Sequence, residues 1–174
     1  MKKAFILLPF FLFFIVGCQY KEGQAALDQM ETKAALEQQN KDLIVKYIQA
    51  WNNQDMEVMD GCLDPDFKVY IPSSAEEPMS LEQFREWLKV ILTAFPDSHY
   101  EAEDIFCERN RICVRWTYSA TQQGEYMGMP ASGRKVSVSA IEIFRVGNGK
   151  ILEERTEMDA LGLMQQLGLV TLGK

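Results

Sequence analysis

"KVSVSAIEIFRVGNGKILEERTEMD", residues 135–159, holds two extended runs that meet at Asn148-Gly149. Asn-Gly is a strong signal for a tight two-residue hairpin turn, because both of its positions need a positive φ. The spacing predicts strands over 135–146 and 150–159, each long enough to form the wall of a sheet.

Upstream, "HYEAEDIFC" (99–107) and "RICVRWTYSA" (111–120) read as another hairpin, turning at Arg109-Asn110. Tyr100 and Ala102 are out of phase with Ile105 and Cys107, which predicts a bulge near Glu103-Asp104. Between the two hairpins lies "ATQQGEYMGMPASGRKV", residues 120–136, with three glycines and a proline that a strand would not hold. Loops of this length in a small domain are usually either functional or disordered. Tyr126, Met127 and Met129 read either as the rim of a pocket or as side chains packed against a neighbouring subunit or the terminal helix.

The first half is helical. Leu36, Leu43, Ile44, Tyr47, Ile48 and Trp51 recur at steps of three, four or seven and predict a helix over 28–53. A short helix follows at 55–63, then a strand in "FKVYIP" ended by Pro72. Ser80 and Gln83 form a capping-box pattern that opens "LEQFREWLKVILTAF" (81–95), which Pro96 stops. "ALGLMQQLG" (160–168) closes the chain as a short helix. Helices followed by consecutive long hairpins make an α+β pattern. The expected architecture is a curved antiparallel sheet wrapped around the N-terminal helices as a cone, with a pocket at its open end.

The 174 residues suffice for one domain with a proper core. The composition is that of a globular protein, 47% hydrophobic and 25% charged. A net charge of −7 argues against nucleic acid, whose phosphates require basic patches. The only histidine is His99 and no close Cys/His spacing exists, so metal binding is not expected, and no cofactor is implied. Cys107 and Cys113 face opposite sides of a two-residue hairpin, so free thiols are expected there.

"MKKAFILLPFFLFFIVGC", residues 1–18, has a basic start and an apolar run from Ala4 to Val16, shorter than the ~20 residues that span a bilayer. Ile15-Val16-Gly17-Cys18 resembles the bacterial lipobox, in which the cysteine is lipidated and becomes the first mature residue. The expected organisation is a lipoprotein signal peptide over 1–18, a tether and helical extension over 19–40, and a domain over 41–170. The expected location is a bacterial cell envelope, with membrane attachment through the lipid. Gln19 after the cysteine leans toward the outer membrane in a Gram-negative host.

From about Leu43 to Val170 the chain resembles the SnoaL-like polyketide cyclases of the nuclear-transport-factor-2-like superfamily. The resemblance rests on "AWNNQDMEVMDGCLDPDF", "AFPDSHYEAEDI", "VRWTYSATQQGEYMGMPASGRKV", "IEIFRVGNGKILEE" and "DALGLMQQLG" in this order. It implies an ester-cyclase-like aldol closure of a small carbonyl or ester compound, in which one acidic residue takes a proton from carbon flanked by carbonyls and returns it. The family's aspartate matches Asp159, for which a helix N-cap is the alternative role.

Three departures cut against that activity. Ala120-Thr121-Gln122 stands where relatives commonly have Gly-Thr-His. "VYIP" lacks a histidine. Arg155 replaces a frequent aromatic residue. The resemblance places Gln122, Tyr126 and Met129 at the pocket. Alternation puts Glu153, Arg155, Glu157 and Asp159 on one strand face. The family register makes that face the pocket wall, with Glu142 a further candidate; on the opposite reading Leu152 and Met158 point inward. Trp116 and Tyr118 share a face, as core or as ligand contacts. A non-catalytic small-molecule binding module is the alternative function, and homodimerisation through the outer sheet face is a third reading.

Overall fold

The computed structural model describes residues 9–72 and 75–171, with side chains from residue 23 onward. The elements in order are helix α1 (Pro9–Asn52), helix α2 (Met56–Cys62), strand β1 (Leu63–Tyr70), strand β2 (Met79–Ser80), helix α3 (Leu81–Ala94), strands β3 (His99–Glu108), β4 (Arg111–Thr121), β5 (Lys135–Gly147) and β6 (Lys150–Met158), and helix α4 (Ala160–Leu167). The class is α+β, as expected. Six strands in the order β2-β1-β6-β5-β4-β3 form one curved, unclosed sheet. It is antiparallel except where β1 runs parallel to β6.

Helix α1 begins earlier than the apolar periodicity predicts. The segment expected as a tether is rich in Ala, Gln, Glu and Lys, which lose little on entering a helix. Residues up to Leu36 form one unit and residues from Glu37 another. In the first, positions 23–36 are all exposed. Residues 1–8 and the side chain of Cys18 lie outside the described residues, so the leader expected over 1–18 falls largely there. Among the described residues no helix is long and apolar enough to cross a membrane.

The second unit carries the core. Along β5, Val136, Val138, Ala140, Glu142, Phe144 and Val146 are buried, alternating with exposed or part-exposed neighbours. Ile44, Tyr47, Ile48 and Trp51 of α1 and Phe84, Leu88 and Ile91 of α3 join Val136, Ala140, Phe144 and Val146 in one cluster. Phe144 is fully buried; truncating such a side chain to alanine costs ~3–5 kcal/mol.

The predicted capping box is present: Ser80 Oγ accepts from the Gln83 N–H, and Gln83 Oε1 accepts from the Ser80 N–H at 2.8 Å. The β3–β4 ladder slips between Ala102 and Asp104, where the phase break predicted a bulge. Phe106 pairs with Cys113 and Cys107 with Ile112, and Cys62, Cys107 and Cys113 are free thiols.

Candidate active site

A cavity of about 170 Å³ lies in the second unit. Tyr47 and Trp51 of α1, Trp87 and Ile91 of α3, and Phe95 line one side. Tyr100 of β3, Trp116 and Tyr118 of β4, Glu142 of β5, and Glu154, Thr156 and Met158 of β6 line the sheet side. Ile71, Tyr126 and Leu163 complete it. The rings run in contact: Trp87 to Trp51 at 6.2 Å, Trp51 to Tyr100 at 6.4 Å, and Tyr100 to Trp116 at 4.6 Å between centroids.

Two carboxyls sit among these rings, Glu142 at 5% and Glu154 at 4% exposure. The side chain of Glu142 accepts from Tyr100 Oη and, at 2.8 Å, from Thr156 Oγ1. Tyr47 Oη donates to Glu154 Oε2 at 3.2 Å. Burial raises both acids above the ordinary carboxylate range. On Glu142 the hydrogen bonds from Tyr100, Glu154, Thr156 and Trp116 oppose that rise. On Glu154 the neighbouring Glu142 charge adds to it, and Glu154 is pushed well up. The pair therefore shares a proton, with Glu154 the neutral partner donating to Glu142 (the familiar outcome for two carboxyls in one site). The same burial and the same carboxylates raise Tyr47 and Tyr100, which stay protonated donors. Asn52 of α1 holds the Tyr100 backbone in place, donating to its carbonyl at 2.9 Å and accepting from its N–H at 2.8 Å.

Of the residues picked out from sequence, Trp116, Tyr126 and Glu142 line the cavity. Met129 packs against the core beside it. Three placements are corrected. Gln122 is fully buried, but its Nε2 donates to the carbonyls of Gly124, Met129 and Pro130 at 3.2–3.3 Å, and its Oε1 accepts from Ser132 Oγ. It ties the 122–134 loop together from within and does not face the cavity. Arg155 lies on the outer sheet face, bonded to Glu153 at 2.7 Å with its guanidinium 3.7 Å from the Tyr70 ring centroid. Asp159 is exposed and N-caps α4, its Oδ1 accepting from the Gly162 N–H at 2.8 Å.

The physical reason lies in register. Residues paired across a ladder share a face. Phe144 pairs with Glu154 and Glu142 with Thr156, so the inward phase of β5 sets that of β6. The face carrying Glu153, Arg155 and Glu157 is consequently the outer one. A bulge between Arg145 and Val146 resets the count, which is why Ile151 and Glu154 are both buried. Glu142 was visible from sequence as the charged member of an apolar alternation. Glu154 was hidden by the bulge, and Tyr47, Trp51 and Tyr100 by their distance along the chain. Among the described residues, no His, Cys, Asp and Glu side chains gather as a metal site.

The loop docks on α3. The N–H groups of Gln123 and Gly124 both donate to the Ala94 carbonyl at the helix end, at 2.8 and 3.0 Å. A Cβ on Gly124 would stand 2.5 Å from the Thr93 carbonyl oxygen, so glycine is required for the approach. Tyr126 and Met129 exchange backbone hydrogen bonds around Met127-Gly128, both at positive φ. This small hairpin sets the Tyr126 ring edge-on to Phe95 at 5.1 Å, at the cavity.

Residues 41–167 match the SnoaL-like polyketide cyclase family. Over 134 residues, 73% of this chain and 80% of the relative, the sequence is 29% identical to the aklanonic acid methyl ester cyclase DauD of Streptomyces sp. (strain C5). It is 37% identical over 84 residues to the aklanonic acid methyl ester cyclase DnrD of Streptomyces peucetius, a match spanning 47% of this chain and 55% of DnrD. The structure of AclR from Streptomyces galilaeus, which carries a provisional hydroxylase assignment, superposes with a TM-score of 0.72 at 30% identity, covering 78% of this chain and 99% of AclR. Motif order, fold and match together identify the chain as a member of the SnoaL-like polyketide cyclase family.

Proposed function

We propose that this protein is a cyclase-like enzyme that acts on a small carbonyl or ester compound by acid–base chemistry in the aromatic cavity, held at the cell envelope by a lipid on Cys18. The observation that carries the reading is the pair of buried, hydrogen-bonded carboxyls on the cavity wall, Glu142 and Glu154. The proton-handling role expected for Asp159 passes to this pair, because Asp159 is exposed and occupied as a cap.

Glu142, the partner that its hydrogen bonds hold closer to ionised, takes a proton from the carbon next to a carbonyl. The C–H electrons move into the enolate. The enolate carbon attacks a ketone carbon of the same molecule, a C–C bond forms, and the resulting alkoxide takes the proton back from Glu142. Protons and electrons balance without a co-reactant. The neutral Glu154 keeps the returning proton available, and burial among the apolar walls raises the basicity of Glu142.

The test is α-deuterium uptake in D2O, followed by NMR, for enolisable aryl ketones graded in size from acetophenone upward. The protein accelerates uptake, Glu142→Gln loses ~10²- to 10⁴-fold, and Asp159→Asn retains the rate. Equal rates with and without protein across the series would leave the binding-module reading, in which Glu142→Gln changes affinity alone. That second reading draws support from Gln122, which stands where relatives commonly carry a histidine and is spent on the loop.

The envelope location rests on residues 1–18 and is checked by metabolic lipid labelling: Cys18→Ala remains unlabelled and unprocessed. A homodimer through the outer sheet face, where Phe106, Ile141 and Ile143 are exposed, is checked by analytical ultracentrifugation.

A further inference from the structure

The end of α1 holds one residue of β3 by its backbone. Asn52 is the last residue of the helix, and asparagine, a poor helix former, is tolerated best at an end. Two residues on, Gln54 takes a positive φ of 55°. Its N–H donates to the Trp51 carbonyl at 2.9 Å, and the Asp55 N–H donates to the Ala50 carbonyl at 2.8 Å. Such a pair of bonds around a left-handed residue fixes the last turn. Strand β3 is the outer strand of the sheet, so alternate N–H and C=O groups along it lack a ladder partner. The Asn52 amide offers one acceptor and a donor group, and both go to Tyr100: it accepts from the Tyr100 N–H at 2.8 Å and donates to the Tyr100 carbonyl at 2.9 Å. One side chain stands in for a neighbouring strand at a single residue.

That residue carries a donor to Glu142. The Tyr100 ring contacts the rings of Trp51 and Trp116, and its hydroxyl donates to Glu142 Oε2. A hydrogen bond to a carboxylate favours the ionised form, so the placing of donors decides which of two neighbouring acids keeps the proton. The titratable groups around Glu142 are Tyr100 from β3, Glu154 from β6 and Tyr47 from α1, with Cys62 in electrostatic reach of Tyr47. Tyr118 and Tyr126 complete those on the wall, α3 presents only Trp87 and Ile91, and no lining residue is Lys, Arg or His. With no cation at hand, the hydroxyl donors have the larger say. Asn52 itself is not part of the lining.

We infer that Asn52 is a positioning residue for the carboxyl pair: by clasping the edge of β3 it aims the Tyr100 hydroxyl at Glu142, and so makes Glu142 rather than Glu154 the ionised partner. The inference rests on the proposal above for Glu142 as the base, and Asn52 acts on the reaction only through Tyr100.

The experiment follows the carboxyl 13C signals of Glu142 and Glu154 in the full chain labelled with 13C-glutamate, assigned through Glu142→Gln and Glu154→Gln. In Tyr100→Phe the Glu142 signal is expected to move toward its protonated position and the Glu154 signal toward its ionised one. The ratio of charge between them changes by ~10-fold, the worth of one hydrogen bond to a charged group. Asn52→Ala moves both signals in the same directions, and the double variant moves them no further than Tyr100→Phe alone. In deuterium uptake by acetophenone, the rising limb of the pH–rate profile shifts to higher pH in Asn52→Ala, because a base that has lost a donor ionises later. Gln54→Ala is the structural control. It removes the bond from Gln54 Nε2 to the Pro96 carbonyl, at 2.8 Å, and leaves Tyr100 untouched, so it lowers the melting temperature with both signals in place. Unmoved signals in Asn52→Ala overturn the inference, as does a double variant that adds to Tyr100→Phe, or a Gln54→Ala shift as large as that of Asn52→Ala. If Asn52→Ala fails to fold, Asn52→Ser, which keeps a small polar group at the part-buried helix end, reads the same shift. Moved signals in a protein that accelerates no uptake would sink the catalytic proposal and leave the positioning of the pair standing.

Discussion

Glu154 owes its protonation to its surroundings, and that has a measurable sign. Its folded-state pKa is raised by burial first and by Glu142 second. An acid that holds its proton more tightly when folded loses stability as pH climbs above its unfolded value near 4.3. The loss continues until the folded value is passed. Wild-type protein should therefore lose melting temperature from pH 5 to pH 9 more steeply than Glu154→Gln, whose amide stays neutral. For a chain of this size, ~2–4 °C corresponds to 1 kcal/mol. Parallel slopes by differential scanning calorimetry would contradict the assignment of Glu154 as the neutral partner. At Asp159 the expectation is opposite in kind. Asn caps a helix as well as Asp, so Asp159→Asn should shift unfolding free energy by less than about 0.5 kcal/mol. A larger loss in urea denaturation would point to a role beyond the cap.

At the scale of elements, the 122–134 loop is held by Gln122 from within and by the end of α3 from below. Replacing Gln122 by alanine removes the donor shared by the carbonyls of Gly124, Met129 and Pro130 and the acceptor of Ser132 Oγ, while Met129 keeps the Tyr126 N–H. A cost of ~1 kcal/mol follows from the lost hydrogen bonds, with cleavage concentrated in this loop in limited proteolysis. Cleavage distributed elsewhere would show that Gln122 is dispensable to the loop. Gly124→Ala should act on the same element by a different route. Its Cβ meets backbone at Thr93 rather than a movable side chain, and overpacking of this sort costs ~1–3 kcal/mol. A thermal melt unchanged by the substitution would mean that loop and helix end separate easily.

For the whole molecule, the cavity and the core belong to residues from Glu37 onward. Positions 23–36 are exposed throughout, and removing exposed chain costs little when no buried group loses a partner. A chain beginning at Glu37 keeps the bond from Arg109 N–H to Glu37 Oε1 and the bond from Asn40 Nδ2 to the Arg109 carbonyl. It should melt within about 2–4 °C of the full chain, which corresponds to ~1 kcal/mol. A collapse of the melting transition would assign residues before 37 a part in stability.

Local chemistry determined most of the fold. Asn148-Gly149, Ser80 with Gln83, and the phase break before Ile105 each act over a few residues, so turn, cap and bulge could be read without knowing what lay across the sheet. The presence of Tyr126 at a cavity was legible for a similar reason, since glycines on both sides allow an aromatic to turn inward. The face of β6 was not local. Alternation along 150–159 is equally regular in either phase, and a single bulge opposite Arg145-Val146 chose between them. That choice turned Glu153, Arg155 and Asp159 away and brought Glu154 and Thr156 beside Glu142. Tertiary structure alone decided the site, because two carboxyls acquire their shared proton only when distant strands, and the helix carrying Tyr47, bury them together.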